Sequence, residues 1–212
     1  MNVTALTAPA SPSNWKRVGW VLLLLGALFA AVNAVVFMLA QGYGSPDIKS
    51  RFFGTAIAGW AHTMGGAVAS LLGPFQLITQ LRTSRPRVHV WLGRTYLLAV
   101  LAGALGGLYF APTSTAGTIG SVGFTTLALF WLYSGARAYI AIRRGNVQLH
   151  RRWMLRNYAL TFAAATLRIQ LPLLIVAGLT FPVAYTIVAW SSWVPNWLAV
   201  EGWLRRRKVV AR

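Results

Sequence analysis

The 212 residues are 57% hydrophobic and 10% charged, with 20 Lys+Arg against 2 acids, three histidines and no cysteine. A soluble domain carries about a quarter charged residues, so this composition excludes an ordinary soluble globule, and its apolar content excludes disorder for most of the chain. The lack of cysteine rules out disulfides, thiolate metal sites and thiol catalysis, and Asp47 and Glu201 alone leave nothing for paired-carboxylate hydrolysis.

In chain order, the polar stretch 1–14 reads as a disordered tail. Apolar runs then follow at 18–40, 53–81, 91–111, 120–142, 153–178 and 181–204, each near or above the ~20 residues that cross a hydrocarbon core. The first is too long for a signal-peptide core and no A-x-A site follows it. The expected fold class is all-α, a polytopic integral membrane bundle of six transmembrane helices over 15–208, with cytoplasmic tails at 1–14 and 209–212.

The cations fix an orientation. Seventeen of them flank one set of loop ends: Lys16 and Arg17, then Arg82 to Arg94, Arg137 to Arg156, and Arg205 to Arg212. Only Lys49 and Arg51 lie on the other side, and Arg168 lies inside a span. The positive-inside rule places both termini in the cytoplasm. Because the basic charge falls in short clusters between apolar runs, it argues for membrane orientation and contact with anionic lipids, and against nucleic acid.

The polar residues within spans fall on stripes. On span 2, Thr55, Gly59, His62, Gly65, Gly66, Ala69, Gly73, Gln76 and Gln80 share a face opposite Trp60, Met64, Leu71 and Phe75 at helical spacing. Glycines alone are explained by helix packing; a histidine and two glutamines on the same line are not. Span 3 aligns His89, Gly93, Tyr96, Val100, Gly103 and Gly107, and span 5 aligns His150, Met154, Asn157, Thr161, Ala165 and Arg168.

His89 and His150 open spans that start at the same membrane face, so they are expected at one level, close enough to share a metal or macrocycle. Two imidazoles on facing helices suit haem iron, whereas zinc wants three or four ligands. Near the same rim, Glu201 is expected to face Arg94, Arg137 or Arg205.

Arg168, about 22 Å along its helix from Trp153, is expected at the depth of His62. No acid is placed to reach it. A polar cavity between spans 2 and 5 is expected, lined by His62, Gln76 and Arg168, with Gly65 and Gly66 making space. Its guest would be a quinone-like head group, a propionate or a small anion. The competing expectation is an Arg168 satisfied by carbonyls freed near Pro172.

The runs GGAVASLLGPFQ (65–76), RVHVWLGRTYLLAVLAGALGGL (87–108), AIRRGNVQLHRRWMLRNYALTFAAATLR (141–168) and WVPNWLAVEGW (193–203) resemble the bacterial predicted membrane proteins of domain of unknown function 2306. That resemblance implies the bacterial inner membrane and no particular activity. Val90 departs from the family pattern, which more often has Arg there. His89-Val90-Trp91-Leu92-Gly93 is also similar, more distantly, to the opening of span 3 in cytochrome b561-type transmembrane cytochromes. This likeness implies haem b, electron transfer and a quinone or other electron carrier as partner. It makes His62, His89 and His150 the ligands of spans 2, 3 and 5, with none on span 4. The alternative readings are a non-redox transporter or binder of a lipid or small anion, and a structural subunit of a membrane complex.

Overall fold

The computed structural model describes residues 14–40 and 42–210. Apart from Asn14, the expected tail 1–14 lies outside the described residues, as do the last two positions of 209–212. The elements are α1 (Asn14–Leu39), α2 (Pro46–Gly54), α3 (Ala56–Gln76), α4 (Thr79–Ser84), α5 (Pro86–Phe110), a 3₁₀ turn (Ala111–Thr113), α6 (Gly117–Arg143), α7 (Val147–Thr161), α8 (Ala163–Val176), α9 (Phe181–Ser191) and α10 (Val194–Val210). Among the described residues there is no strand.

Four segments are long and apolar enough to cross a membrane: Arg17–Leu39, Pro86–Thr113, Gly117–Arg143 and Val147–Val176. The expected spans 2, 5 and 6 are not single uninterrupted helices. The 53–81 run is divided because Thr55 leaves helical geometry (φ −125°, ψ 65°), which separates the short α2 from α3. The 21 residues of α3 are about 31 Å long, but the polar and small residues of its inner face dilute its hydropathy.

The last run is broken at Ser192–Trp193. Pro195 has no N–H to give the Ser191 carbonyl one turn back. Gln170 replaces it, with Nε2 donating to Ser191 O at 3.4 Å while Ser191 Oγ donates to Gln170 Oε1 at 2.9 Å. Between α7 and α8, Phe162 interrupts the helix. Thr161 and Thr166 both bond the carbonyl four residues back, an arrangement that bends helices, and the Phe162 ring lies over the bare Cα of Gly26 on α1.

Two reversals use the same glycine device. Gly145 (φ 73°) and Gly178 (φ 92°) occupy the left-handed position after α6 and α8. Asn146 N then bonds Ala141 O at 2.9 Å, and Leu179 N bonds Leu174 O at 3.1 Å, closing Schellman motifs. Asn146 also caps α7, accepting from Leu149 N at 2.9 Å.

The centre of the bundle is α3 packed on α5, with α6 and α7 across them. A Cβ on Gly65 would lie 2.6 Å from Gly103 N and 2.7 Å from Ala99 O, and one on Gly106 2.7 Å from His62 N; only glycine permits this approach. Above this contact sits a buried polar network. Tyr96 OH donates to Asn157 Oδ1 (2.6 Å), and Asn157 Nδ2 donates to Trp131 O and Ser134 Oγ (both 2.8 Å). Trp131 Nε1 donates to Thr161 Oγ1 (2.8 Å), which lies 2.8 Å from Tyr96 OH. The Thr161 hydroxyl proton is shared between Tyr96 OH and the Asn157 backbone carbonyl at 3.1 Å, so each of these side-chain groups has a partner, as a buried network requires.

Outward faces are apolar: Leu22, Leu98, Ile57 and Val176 are 61 to 89% exposed, as expected of surface that meets lipid. On α1 the split is sharp, with Ala27, Ala30, Ala31 and Ala34 buried against α3 and α8 and leucines and valines outside.

Candidate functional site: an apolar cavity with a polar patch at the α2 end

A cavity of about 830 Å³ opens at the end of the bundle that carries α2, and α1, α2, α3, α5, α6, α7, α8 and α9 all contribute to its wall. His62 and Arg168 both line it, as do Gly66, Thr63, Ser70, Ser192 and Tyr185. Its wall is otherwise mainly apolar, including Phe29, Leu167, Leu171 and Trp131.

Each polar side chain is positioned by the backbone. Gly106 and Gly107 let the His62 ring settle onto α5, where Nδ1 donates to Gly103 O at 2.8 Å. Phe52 closes over the ring edge-on at 5.8 Å and is itself stacked on Phe110 at 4.2 Å. Arg168 donates through Nη1 to Ala164 O at 2.9 Å, a carbonyl on its own helix one turn away, not the one that Pro172 frees. The Arg168 charge lies within electrostatic range of the His62 ring and of Tyr43 and Tyr185. Neither acid lines the cavity. A guanidinium carries five N–H donors, and the bond to Ala164 O uses one of them.

Gln76 does not line this cavity. Its Oε1 lies 3.1 Å from the Cβ position of Gly93, toward the arginine-rich end, and its Nε2 is buried without a partner. Gly66 makes space in the wall, whereas Gly65 is used in the α3–α5 contact. Thr63, Ser70 and Ser192 were not singled out by the sequence stripes. Thr63, Gly66, Ala67 and Ser70 follow i, i+3, i+4, i+7 spacing, a second small and polar line beside the first, and that spacing is the signal that could have revealed them.

His89 and His150 stand at the opposite end. His150 Nδ1 donates to Ala138 O at 2.9 Å, and His89 Nδ1 is buried without a partner. The two rings are within electrostatic range of each other, but neither lines the α2-end cavity. One turn below them Gln76 fills the space against Gly93, Met154 is buried, and Tyr96 is fully buried a turn deeper. A macrocycle ligated by both rings would have to displace these side chains. The pair as arranged does not fit a bis-histidine haem. Among the described residues no three His, Cys, Asp or Glu form a metal-binding group.

At the same rim Glu201 pairs with Arg156 of α7, in place of the expected Arg94, Arg137 or Arg205. Arg156 Nε contacts Oε1 and Nη2 donates to Oε2 at 3.1 Å. The Arg156 guanidinium also lies over Trp153 at 4.7 Å, with Arg137 over the same ring at 5.3 Å. Because Arg156 has two roles, Arg156→Ala is expected to cost about 2–3 kcal/mol and Glu201→Gln about 1 kcal/mol. Thermal unfolding in detergent measures both, and equal losses would contradict the division.

Residues 59–204 match the family of predicted membrane proteins described as domain of unknown function 2306. The match covers more than half of the chain, which therefore belongs to this family of membrane proteins. No curated protein and no solved structure matches it.

Proposed function

We propose that this protein is a six-pass protein of the bacterial inner membrane, with both termini cytoplasmic, that holds an amphipathic anion in its α2-end cavity. The 17-to-2 division of loop cations supports the orientation. The breaks at Phe162 and Ser192–Trp193 are compatible with spanning, because side chains take up the freed carbonyls. Reporter fusions after Asp47, Thr115 and the C-terminus are expected to read outside, outside and inside. An outside signal at the C-terminus would overturn the topology.

One observation carries the binding reading: Arg168 faces an apolar cavity with no acid in its wall. A charge within a membrane needs a partner, and hydrogen bonding to carbonyl oxygen supplies no countercharge. An anionic head supplies one, and the phenyl and leucine walls suit the chain behind it. Electron transfer through haem lacks comparable support from the His89–His150 end, and a reduced-minus-oxidised absorption spectrum distinguishes the two readings. With oleate as probe, native mass spectrometry of the full-length protein is expected to retain one oleate per chain. Arg168→Gln should lose it, and equal retention by both would overturn the reading.

A further inference from the structure

The hydrogen-bonding groups around Arg168 specify more than charge, on the premise that the cavity is an anion site. A carbonyl only accepts, so the His62–Gly103 bond of 2.8 Å fixes a proton on Nδ1. In the neutral ring Nε2 is then an acceptor, and no described residue donates to it.

Three further cavity-wall groups are without partners. The hydroxyls of Thr63, Ser70 and Ser192 make no hydrogen bond, although these residues are only 5%, 3% and 0% exposed. Buried hydroxyls without partners are uncommon in native structures and call for a ligand or ordered water. Measured along their helices from the α2 end, Thr63, Arg168 and Ser192 lie about 10, 12 and 16 Å deep. These three depths fall within about 6 Å of one another along the bundle axis, and Ser70, about 21 Å in, lies deeper.

Arg168 can only donate, the neutral His62 Nε2 can only accept, and hydroxyls do both. A bare carboxylate or an alkyl phosphodiester satisfies Arg168 and leaves Nε2 unfilled. An ammonium-bearing zwitterion would bring a cation beside Arg168. We propose that the ligand joins an anionic oxygen to a neighbouring hydroxyl: the anion on Arg168, the hydroxyl donating to His62 Nε2, with Thr63 and Ser192 completing the set. This is the chemistry of a glycerol phosphate, either as a phosphatidylglycerol head group or as the free compound.

The test compares phosphatidylglycerol with phosphatidylmethanol of identical acyl chains, which has the same charge and lacks the glycerol hydroxyls. Binding to the full-length protein in mild detergent is measured by native mass spectrometry. Wild type is expected to favour phosphatidylglycerol by about ten-fold, the value of a good hydrogen bond. His62→Phe should bring the ratio near one. His62→Gln, which keeps an acceptor, should restore part of it, as a merely structural role for the ring would not. Free glycerol 3-phosphate displacing the lipid would identify a soluble ligand, and its failure to do so a lipid; both carry the proposed head group. Equal affinity of wild type for the two lipids, with both weakened by Arg168→Gln, would overturn this inference and leave the anion site standing. Indifference of both lipids to Arg168→Gln would overturn the site and the inference together.

Discussion

Gly65→Ala is expected to destabilise the protein by about 3 kcal/mol, the upper end of an overpacked core, while the neighbouring Gly66→Ala changes stability by less than about 0.5 kcal/mol. The two substitutions add the same methyl group. At Gly65 that carbon would lie 2.6 Å from Gly103 N and 2.7 Å from Ala99 O, both backbone atoms that no rotamer change can move. The α3–α5 contact, which anchors His62 to Gly103, would have to open. At Gly66 nothing lies within 4 Å of the new carbon, because it projects into the cavity. Thermal unfolding of the two variants in one detergent measures the contrast. Similar losses would mean that the helices do not approach as closely as described.

Asn157→Ala carries the second large effect, about 3–5 kcal/mol. Asn157 accepts from Tyr96 OH and donates to Trp131 O and Ser134 Oγ, so its loss leaves several buried groups without partners at about 1–3 kcal/mol each. Tyr96→Phe removes a donor together with its own need for a partner, and is expected to cost only about 1–2 kcal/mol. Trp131 and Thr161 also line the cavity floor, so the Asn157 variant should loosen the floor as well as the core. If the two variants cost the same, Asn157 is not the hub of the network.

The helical class and the inner stripes were legible in the sequence because a membrane demands long apolar runs and segregates polar groups on one face of each helix. His62 and Arg168 could be placed at one depth from chain counting alone, and both line the same cavity. Three things were not legible, for different reasons. The breaks at Thr55, Phe162 and Ser192–Trp193 come from local geometry and one proline, and hydropathy averages over both. Gln76 and Gly65 share a stripe with His62, but a stripe gives direction and not which neighbour fills it, so α5 takes Gly65 and the arginine-rich end takes Gln76. The partner of Glu201 was misplaced because Arg156 was counted with the loop charges, although its position on α7 brings it over the Trp153 ring and across to α10.

The central claim is that Arg168 makes the cavity an anion site, and the affinity of the full-length protein for cis-parinaric acid tests it most directly. This fluorescent carboxylate reports its own transfer into an apolar site. Wild type is expected to bind it saturably, and Arg168→Gln to bind it about 10- to 100-fold more weakly, the range for a lost charge-assisted hydrogen bond. Gly66→Leu, which narrows the cavity beside His62 and leaves Arg168 in place, should weaken binding while the protein remains folded. Equal affinity in wild type, Arg168→Gln and Gly66→Leu would contradict the account.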